Sequence, residues 1–295
     1  MNTTAATQLP EIDWNRVDAL IAMALEEDLG DRGDTTTDAV IPAKTTAIAV
    51  MLAKEDCVAA GLEIAARVFT AIDGRCGWKP RVADGDFCPK GTILAEVHGP
   101  ARALLTGERT ALNFLQRLCG VATVAHRYAA AVAGTGTEIL DTRKTTPGWR
   151  NLEKYAVAAG GASNHRIGLF DRIMIKDNHR ELAGLEGEKG ITRSVKRARE
   201  MFPDLEIEVE ADTLDEVREA VEAGAEYVLL DNMTNAQMAE AVKINAGRSR
   251  LEASGGITLE RLPSIAALGV DYISSGALTH SVKSVDISMD IKLNG

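Results

Sequence analysis

Six short apolar runs recur through the second half of the chain, and each gives way at its C-terminal edge to polar or charged residues. They are Ile139-Leu140-Asp141, Ile173-Met174-Ile175-Lys176, Ile207-Glu208-Val209-Glu210, Val228-Leu229-Leu230-Asp231, Leu251-Glu252-Ala253-Ser254 and Tyr272-Ile273-Ser274-Ser275. Segments of helical period, such as Leu214–Val221, separate most of them. Strand and helix in alternation predict parallel strands joined by crossovers, because a parallel pair cannot be closed by a tight turn. Such a sheet is buried on both faces and places function at the C-terminal ends of its strands. The rim so formed is rich in Arg, Lys, Glu, Asp and Ser.

The first part of the chain reads differently. Val17, Leu20, Ile21, Ala24 and Leu25 share one face of a helix over Trp14–Leu29, and the turn formers from Gly30 to Thr36 end it. Thr45–Lys54 and Gly91–Val97 read as strands, Gly61–Ile72 and Ala101–Leu118 as helices. Near the C-terminus Val285, Ile287, Met289 and Ile291 alternate with polar positions, a strand period that could return to the first domain. The expected division is an α+β sandwich domain over residues 1–121, joined by the segment 282–295, and a β/α domain over residues 122–281.

Composition narrows the partners. With 45% hydrophobic and 26% charged residues the chain is an ordinary globular protein. A net charge of −10 argues against nucleic acid or an anionic membrane as the main partner, though not against a small anionic substrate met by a local field. Met1–Pro10 lacks a basic start followed by an apolar run, so a cytoplasmic location is expected. The four cysteines, Cys57, Cys76, Cys88 and Cys119, lack metal-ligand spacing and are expected to be reduced and buried.

Six βα units in about 140 residues are too few for a barrel of eight. An incomplete barrel or an open doubly wound sheet both fit. Two glycine turns, Ser254-Gly255-Gly256-Ile257 and Ser275-Gly276-Ala277-Leu278, favour the incomplete barrel, since phosphate sites in β/α barrels often follow the last strands. The densest chemistry lies between the first two runs. Asp141 to Gly148 carries Arg143 and Lys144, Gly160 to Arg166 delivers His165 beside Arg166, and Lys176 closes the second strand. Cations gathered on one rim repel one another unless an anion is present. At an effective dielectric near 20, each contact at about 4 Å contributes roughly 4 kcal/mol to such an anion before desolvation. A pyrophosphate or a dicarboxylate would suit.

Thr142-Arg143-Lys144-Thr145-Thr146-Pro147-Gly148, Gly160-Gly161-Ala162-Ser163-Asn164-His165-Arg166 and Ile175-Lys176-Asp177-Asn178-His179 resemble the signature of the quinolinate phosphoribosyltransferases. The likeness continues through Glu208-Val209-Glu210, Leu230-Asp231-Asn232 and both glycine turns, and upstream through Gly107-Glu108-Arg109-Thr110-Ala111-Leu112-Asn113. The resemblance implies that quinolinate and phosphoribosyl pyrophosphate give nicotinate mononucleotide, pyrophosphate and carbon dioxide, with Mg2+ required. It implies that Arg143, His165, Arg166 and Lys176 grip quinolinate, helped by Arg109 from the other subunit of a homodimer, while Lys144 and Lys176 face the pyrophosphate and Thr145 contributes to substrate binding. It further implies Lys144, Glu210 and Asp231 as catalytic residues, with Glu210 and Asp231 holding ribose hydroxyls or Mg2+. Ser254, Gly255, Gly256, Ser275, Gly276 and Ala277 would bind the 5-phosphate.

Three rivals were open at this level. A sugar-phosphate isomerase or aldolase explains the glycine turns but has no use for the Arg143, Lys144, His165, Arg166 cluster. A relative adapted to another ring is the second. The third, a binding or sensor module, need not keep both acids and bases.

Overall fold

The computed structural model describes residues 9–185, 187 and 189–293. Residues 1–8 and 294–295 of the first expected domain, and with them most of the Met1–Pro10 segment, lie outside the described residues. The chain forms two compact units. One comprises 1–126, 145–161 and 278–295; the other comprises 127–144 and 162–277. α5 (Arg150–Ala159) groups with the first unit.

The first unit begins with α1 (Trp14–Leu29), capped by Asp13, and α2 (Thr35–Val40). The Gly30–Thr36 stretch therefore includes a helix start, because Asp34 Oδ1 accepts the Thr37 N–H at 2.9 Å and caps a new helix inside the turn-like run. Then come β1 (Thr46–Ala53), β2 (Cys57–Val58), α3 (Leu62–Ile72), β3 (Gly77–Pro80), β4 (Phe87–Cys88) and β5 (Ile93–Pro100). They lead into α4, which runs from Ala101 to Ala131, well beyond the expected Leu118. Its mid-helix Gly120 has a packing reason: a Cβ there would lie 2.5 Å from the Lys283 carbonyl oxygen. β12 (Ile287–Leu293) pairs antiparallel with β1 in a four-stranded sheet of order β12-β1-β5-β3. Ala47, Ala49, Met51 and Ala53 are buried in alternation along β1, the period of a strand with one face on the core. All four cysteines are free and buried. Half-buried Arg117 donates from Nη2 to Glu153 Oε1 at 2.7 Å and to the Thr279 carbonyl at 2.6 Å, tying α4, α5 and the C-terminal segment of this unit together.

The second unit is built on six parallel strands, β6 (Glu138–Leu140), β7 (Ile173–Ile175), β8 (Ile207–Ala211), β9 (Tyr227–Asp231), β10 (Arg250–Ser254) and β11 (Tyr272–Ser274). Short α6 (Asp177–Leu182) follows β7, and α7 (Gly190–Met201), α8 (Leu214–Glu222), α9 (Asn235–Asn245) and α10 (Leu262–Ala266) cross between successive strands. α11 (Ala277–His280) follows β11. The strand order is β6-β11-β10-β9-β8-β7, so the ring runs in sequence but leaves β6 and β7 as unpaired edges. This is an incomplete β/α barrel. The seam falls between the first and second strands, and Asp141 to Arg172 spans it. Ser163 forms a single parallel bridge with Leu140 along the outer edge of β6.

Side chains alternate along these strands. On β8, Ile207, Val209 and Ala211 are fully buried on one face, and Glu208 and Glu210 occupy the other. β10 repeats this with Leu251 and Ala253 against Glu252 and Ser254. The register sets Glu210 beside Leu229 and Asp231 beside Ser254, so one face of the sheet is a polar interior. No described helix is long and apolar enough to cross a membrane.

Candidate active site

That polar interior opens into a cavity of about 670 Å³, lined entirely by the second unit. Arg143, Lys144, His165, Arg166 and Lys176 line it together with Glu210, Asp231, Glu252, Ser254, Gly255 and Gly256. The cations come from the loops around the seam and the end of β7. The acids come from the middle and ends of β8, β9 and β10, which are paired on both sides.

Arg166 is half-buried, and its Nη1 donates to the Arg172 carbonyl at 2.9 Å. Burial holds its pKa below the ordinary arginine value, and the nearby Arg143 charge lowers it further. That repulsion is the signature of a site arranged for an anion. Lys176 Nζ forms an ion pair with Glu210 Oε2 at the rim between β7 and β8. His179 returns from α6, its Nδ1 accepting the Lys176 backbone N–H at 2.9 Å, and so fixes the start of that short helix.

His165 is buried. Its Nδ1 accepts the Arg166 backbone N–H at 2.7 Å, and its Nε2 lies 3.3 Å from Glu208 Oε2 and 3.2 Å from Glu252 Oε2. Burial disfavours the imidazolium, but the two carboxylates outweigh it and raise the pKa to about 9. The geometry sets a limit on that tendency. While Nδ1 accepts a backbone N–H it cannot carry a proton, so a second proton would cost that bond. Burial and the neighbouring Glu252 charge push the Glu208 carboxyl above the ordinary range.

The first glycine turn is constrained by its neighbours. Gly255 has φ +84°, and a Cβ there would fall 2.2 Å from Asn232 Oδ1 and 2.8 Å from Asn232 N. Asn232 itself has φ +53° and donates from Nδ2 to Asp231 Oδ2 at 2.7 Å. Only glycine lets the β10 loop pass so close to the β9 end. A 3-10 turn over Leu259–Arg261 follows and leads into the helix α10.

Of the residues expected in the site, Arg143, Lys144, His165, Arg166, Lys176, Glu210, Asp231, Ser254, Gly255 and Gly256 line the cavity. Thr145 and Arg109 do not. Thr145 belongs to the first unit and accepts from Arg150 Nε at 3.1 Å; Arg109 is exposed on α4 in the same unit. Ser275, Gly276 and Ala277 are not lining residues either; Ser274 takes that place. Ser275 is buried, its N–H donating to the Leu140 carbonyl at 3.0 Å and its Oγ accepting from Ala277 N at 3.3 Å. Glu252, Met174, Leu229 and Asn232 were not singled out beforehand. The signal for Glu252 was its period-two place between apolar Leu251 and Ala253.

Glu210 and Asp231 offer hard carboxylate oxygens to the same cavity, which suits a cation that keeps most of its coordination for water and phosphate oxygens. The donor set fits Mg2+.

The chain matches the family model described as quinolinate phosphoribosyl transferase, N-terminal domain, over residues 34–119, and the corresponding C-terminal domain over residues 121–290. It is 45% identical over 269 residues to a probable nicotinate-nucleotide pyrophosphorylase [carboxylating] of Bacillus subtilis, covering 91% of each chain. A Synechocystis protein of the same description is 42% identical over 297 residues, covering 99% of this chain and 98% of its own. Among solved structures, NadC from Streptococcus pyogenes superposes with a TM-score of 0.92 at 39% identity, over 97% of this chain and 100% of that one. The nicotinate-nucleotide pyrophosphorylase from Francisella tularensis does so with a TM-score of 0.90 at 35% identity, over 98% and 100%. With both halves matched in order and a strand-end cavity that carries the family's charged motifs, the chain belongs to the quinolinate phosphoribosyltransferase family.

Proposed function

We propose that this chain is a pentosyltransferase that joins quinolinate to the phosphoribosyl group of phosphoribosyl pyrophosphate, releasing pyrophosphate and carbon dioxide and leaving nicotinate mononucleotide for NAD synthesis. The observation that carries the reading is a single cavity lined by both cations and carboxylates. A dianionic ring needs the cations Arg143, Arg166 and Lys176, and a ribosyl centre that gains positive charge needs the carboxylates Glu210 and Asp231. Planar guanidinium forks suit carboxylates because two bonds form at once. Lys144 faces the leaving pyrophosphate, and the Ser254-Gly255-Gly256 turn receives the 5-phosphate with its backbone N–H groups.

In this reading the ring nitrogen attacks the anomeric carbon as the bond to pyrophosphate breaks. Glu210 and Asp231 stabilise the charge that develops there. The resulting pyridinium draws in the electron pair of the adjacent carbon–carboxylate bond; carbon dioxide leaves, and that ring carbon takes a proton. Glu210 and Asp231 would hold Mg2+, which would supply charge neutralisation to the pyrophosphate. Arg109 completes the site of a second copy in a homodimer, and the free, buried cysteines suit a reducing cytoplasm.

The test is release of labelled carbon dioxide from carboxyl-labelled quinolinate, with and without phosphoribosyl pyrophosphate and Mg2+. Release that depends on the sugar substrate is expected. Sugar transfer to another ring, with quinolinate inert, would replace this reading with the relative adapted to a different acceptor.

A further inference from the structure

Beneath the cationic wall lie three buried carboxylates that converge on one loop. Asp141, at the end of β6, accepts the His165 backbone N–H at 2.8 Å through Oδ1 and Asn164 Nδ2 at 2.9 Å through Oδ2. Glu208 on β8 and Glu252 on β10 flank the other side of the same residue, their Oε2 atoms 3.3 and 3.2 Å from His165 Nε2. Glu208 Oε2 also lies 3.7 Å from Arg172 Nη1, and the Arg172 guanidinium rests 4.0 Å from the centre of the Tyr227 ring.

Burying two carboxylates at a single imidazole is an expensive way to fill a barrel, since apolar residues of similar size usually pack as well or better. Glu208 and Glu252 make no hydrogen bond of good geometry among the described residues, and they meet His165 as ion-pair contacts. Their contacts lead to Arg166. The ring they flank accepts the Arg166 backbone N–H, and the Arg172 that Glu208 faces gives its carbonyl to Arg166 Nη1. Arg166 is therefore located at its backbone and at its guanidinium by groups that trace back to these two acids.

We propose that Glu208 and Glu252 are positioning residues: they clamp the His165 ring, and through it they fix the aim of Arg166 at the anion that the cavity receives. The proposal rests on the assignment of that anion as quinolinate. It gives His165 a job that differs from direct charge pairing, since both ring nitrogens are occupied within the protein.

Glu252→Leu removes one jaw of the clamp while keeping the position filled. The expected result is a rise of about tenfold in KM for quinolinate, the scale of a misaimed binding group, with KM for phosphoribosyl pyrophosphate and the melting temperature little changed. Glu252→Gln recovers most of the loss, because its amide oxygen can accept from Nε2. If Glu252→Leu does not fold, Glu208→Leu, which removes the other jaw, is compared with Glu208→Gln, and only the leucine variant should show the split between the two KM values. Nitrogen-15 shifts of the imidazole give a reading independent of turnover: Nε2 protonated and Nδ1 bare in the wild type, with the pattern broadened or exchanged in Glu252→Leu. An unchanged quinolinate KM, a parallel rise in both KM values, or a wild-type His165 protonated on Nδ1 would overturn the proposal. If the wild-type protein left quinolinate untouched, the substrate assignment would fall, and the nitrogen shifts would still decide whether the clamp exists.

Discussion

Replacing Arg166 with methionine tests the anion wall at its most informative point. The substitution keeps an unbranched stem against Met174 but removes the charge and the bond from Nη1 to the Arg172 carbonyl. In the empty site this charge is a burden, since burial and the Arg143 guanidinium both disfavour it. Its removal should therefore leave the melting temperature unchanged or slightly higher, the lost bond being offset by relief of repulsion. Binding should respond in the opposite sense. A desolvated charge pair broken on one side costs about 2–5 kcal/mol. Arg166 is half-buried and Arg143 and Lys176 remain, so the lower part of that range applies. About 2–3 kcal/mol corresponds to a quinolinate affinity weakened roughly 30- to 150-fold. Calorimetric titration with quinolinate and, separately, with phosphoribosyl pyrophosphate reads both ends of the cavity. Undiminished quinolinate affinity, or equal loss for both ligands, would refute the assignment of this wall to the ring substrate.

Two further outcomes follow from the same geometry. Asp231→Asn keeps the shape of the β9 end but removes its charge, so turnover should fall by about 100-fold, the scale of one electrostatic stabiliser, while the melting temperature holds; a large loss of stability with turnover intact in the folded fraction would reduce Asp231 to a cap. Arg109→Ala and Lys144→Ala proteins should each be nearly inactive and regain activity when mixed under subunit exchange, since a shared site collects both defects in one place and leaves another intact; no recovery, with exchange confirmed by mass, would confine Arg109 to its own chain or remove it from the site.

Much of the barrel was legible because each strand pairs an apolar run with a polar end, and periodicity survives in a sequence whatever the tertiary context. The charged loops were legible as motifs. What escaped depended on distance in space. Asp34-Thr35-Thr36 reads as a turn until the side chain of Asp34 is seen to cap Thr37. Gly120 reads as the end of a helix, and only the Lys283 carbonyl beside it explains why the helix α4 runs on through a glycine. Glu208 and Glu252 were not singled out as site residues, since a period-two position does not reveal which groups a charged side chain meets. Their zero exposure follows from the curvature that turns that face inward. Ser275-Gly276-Ala277 resembles the first glycine turn, yet its backbone is drawn onto Leu140, a strand distant in sequence, which moves the cavity wall to Ser274.

A ring that does not close has two free ends, and the site is divided between its ends and its middle. Glu210, Asp231 and Ser254 belong to strands gripped from both sides, whereas Lys176 follows β7, which has only β8 as neighbour, and Arg143 follows β6, whose outer edge meets a lone bridge at Ser163. Amide exchange should accordingly be fastest along β7 and slowest along β9. Breathing of the ring would part the cations from one another while the acids stayed in register. The cavity is thus stiff where charge must be stabilised in passing and compliant where a rigid aromatic dianion must enter.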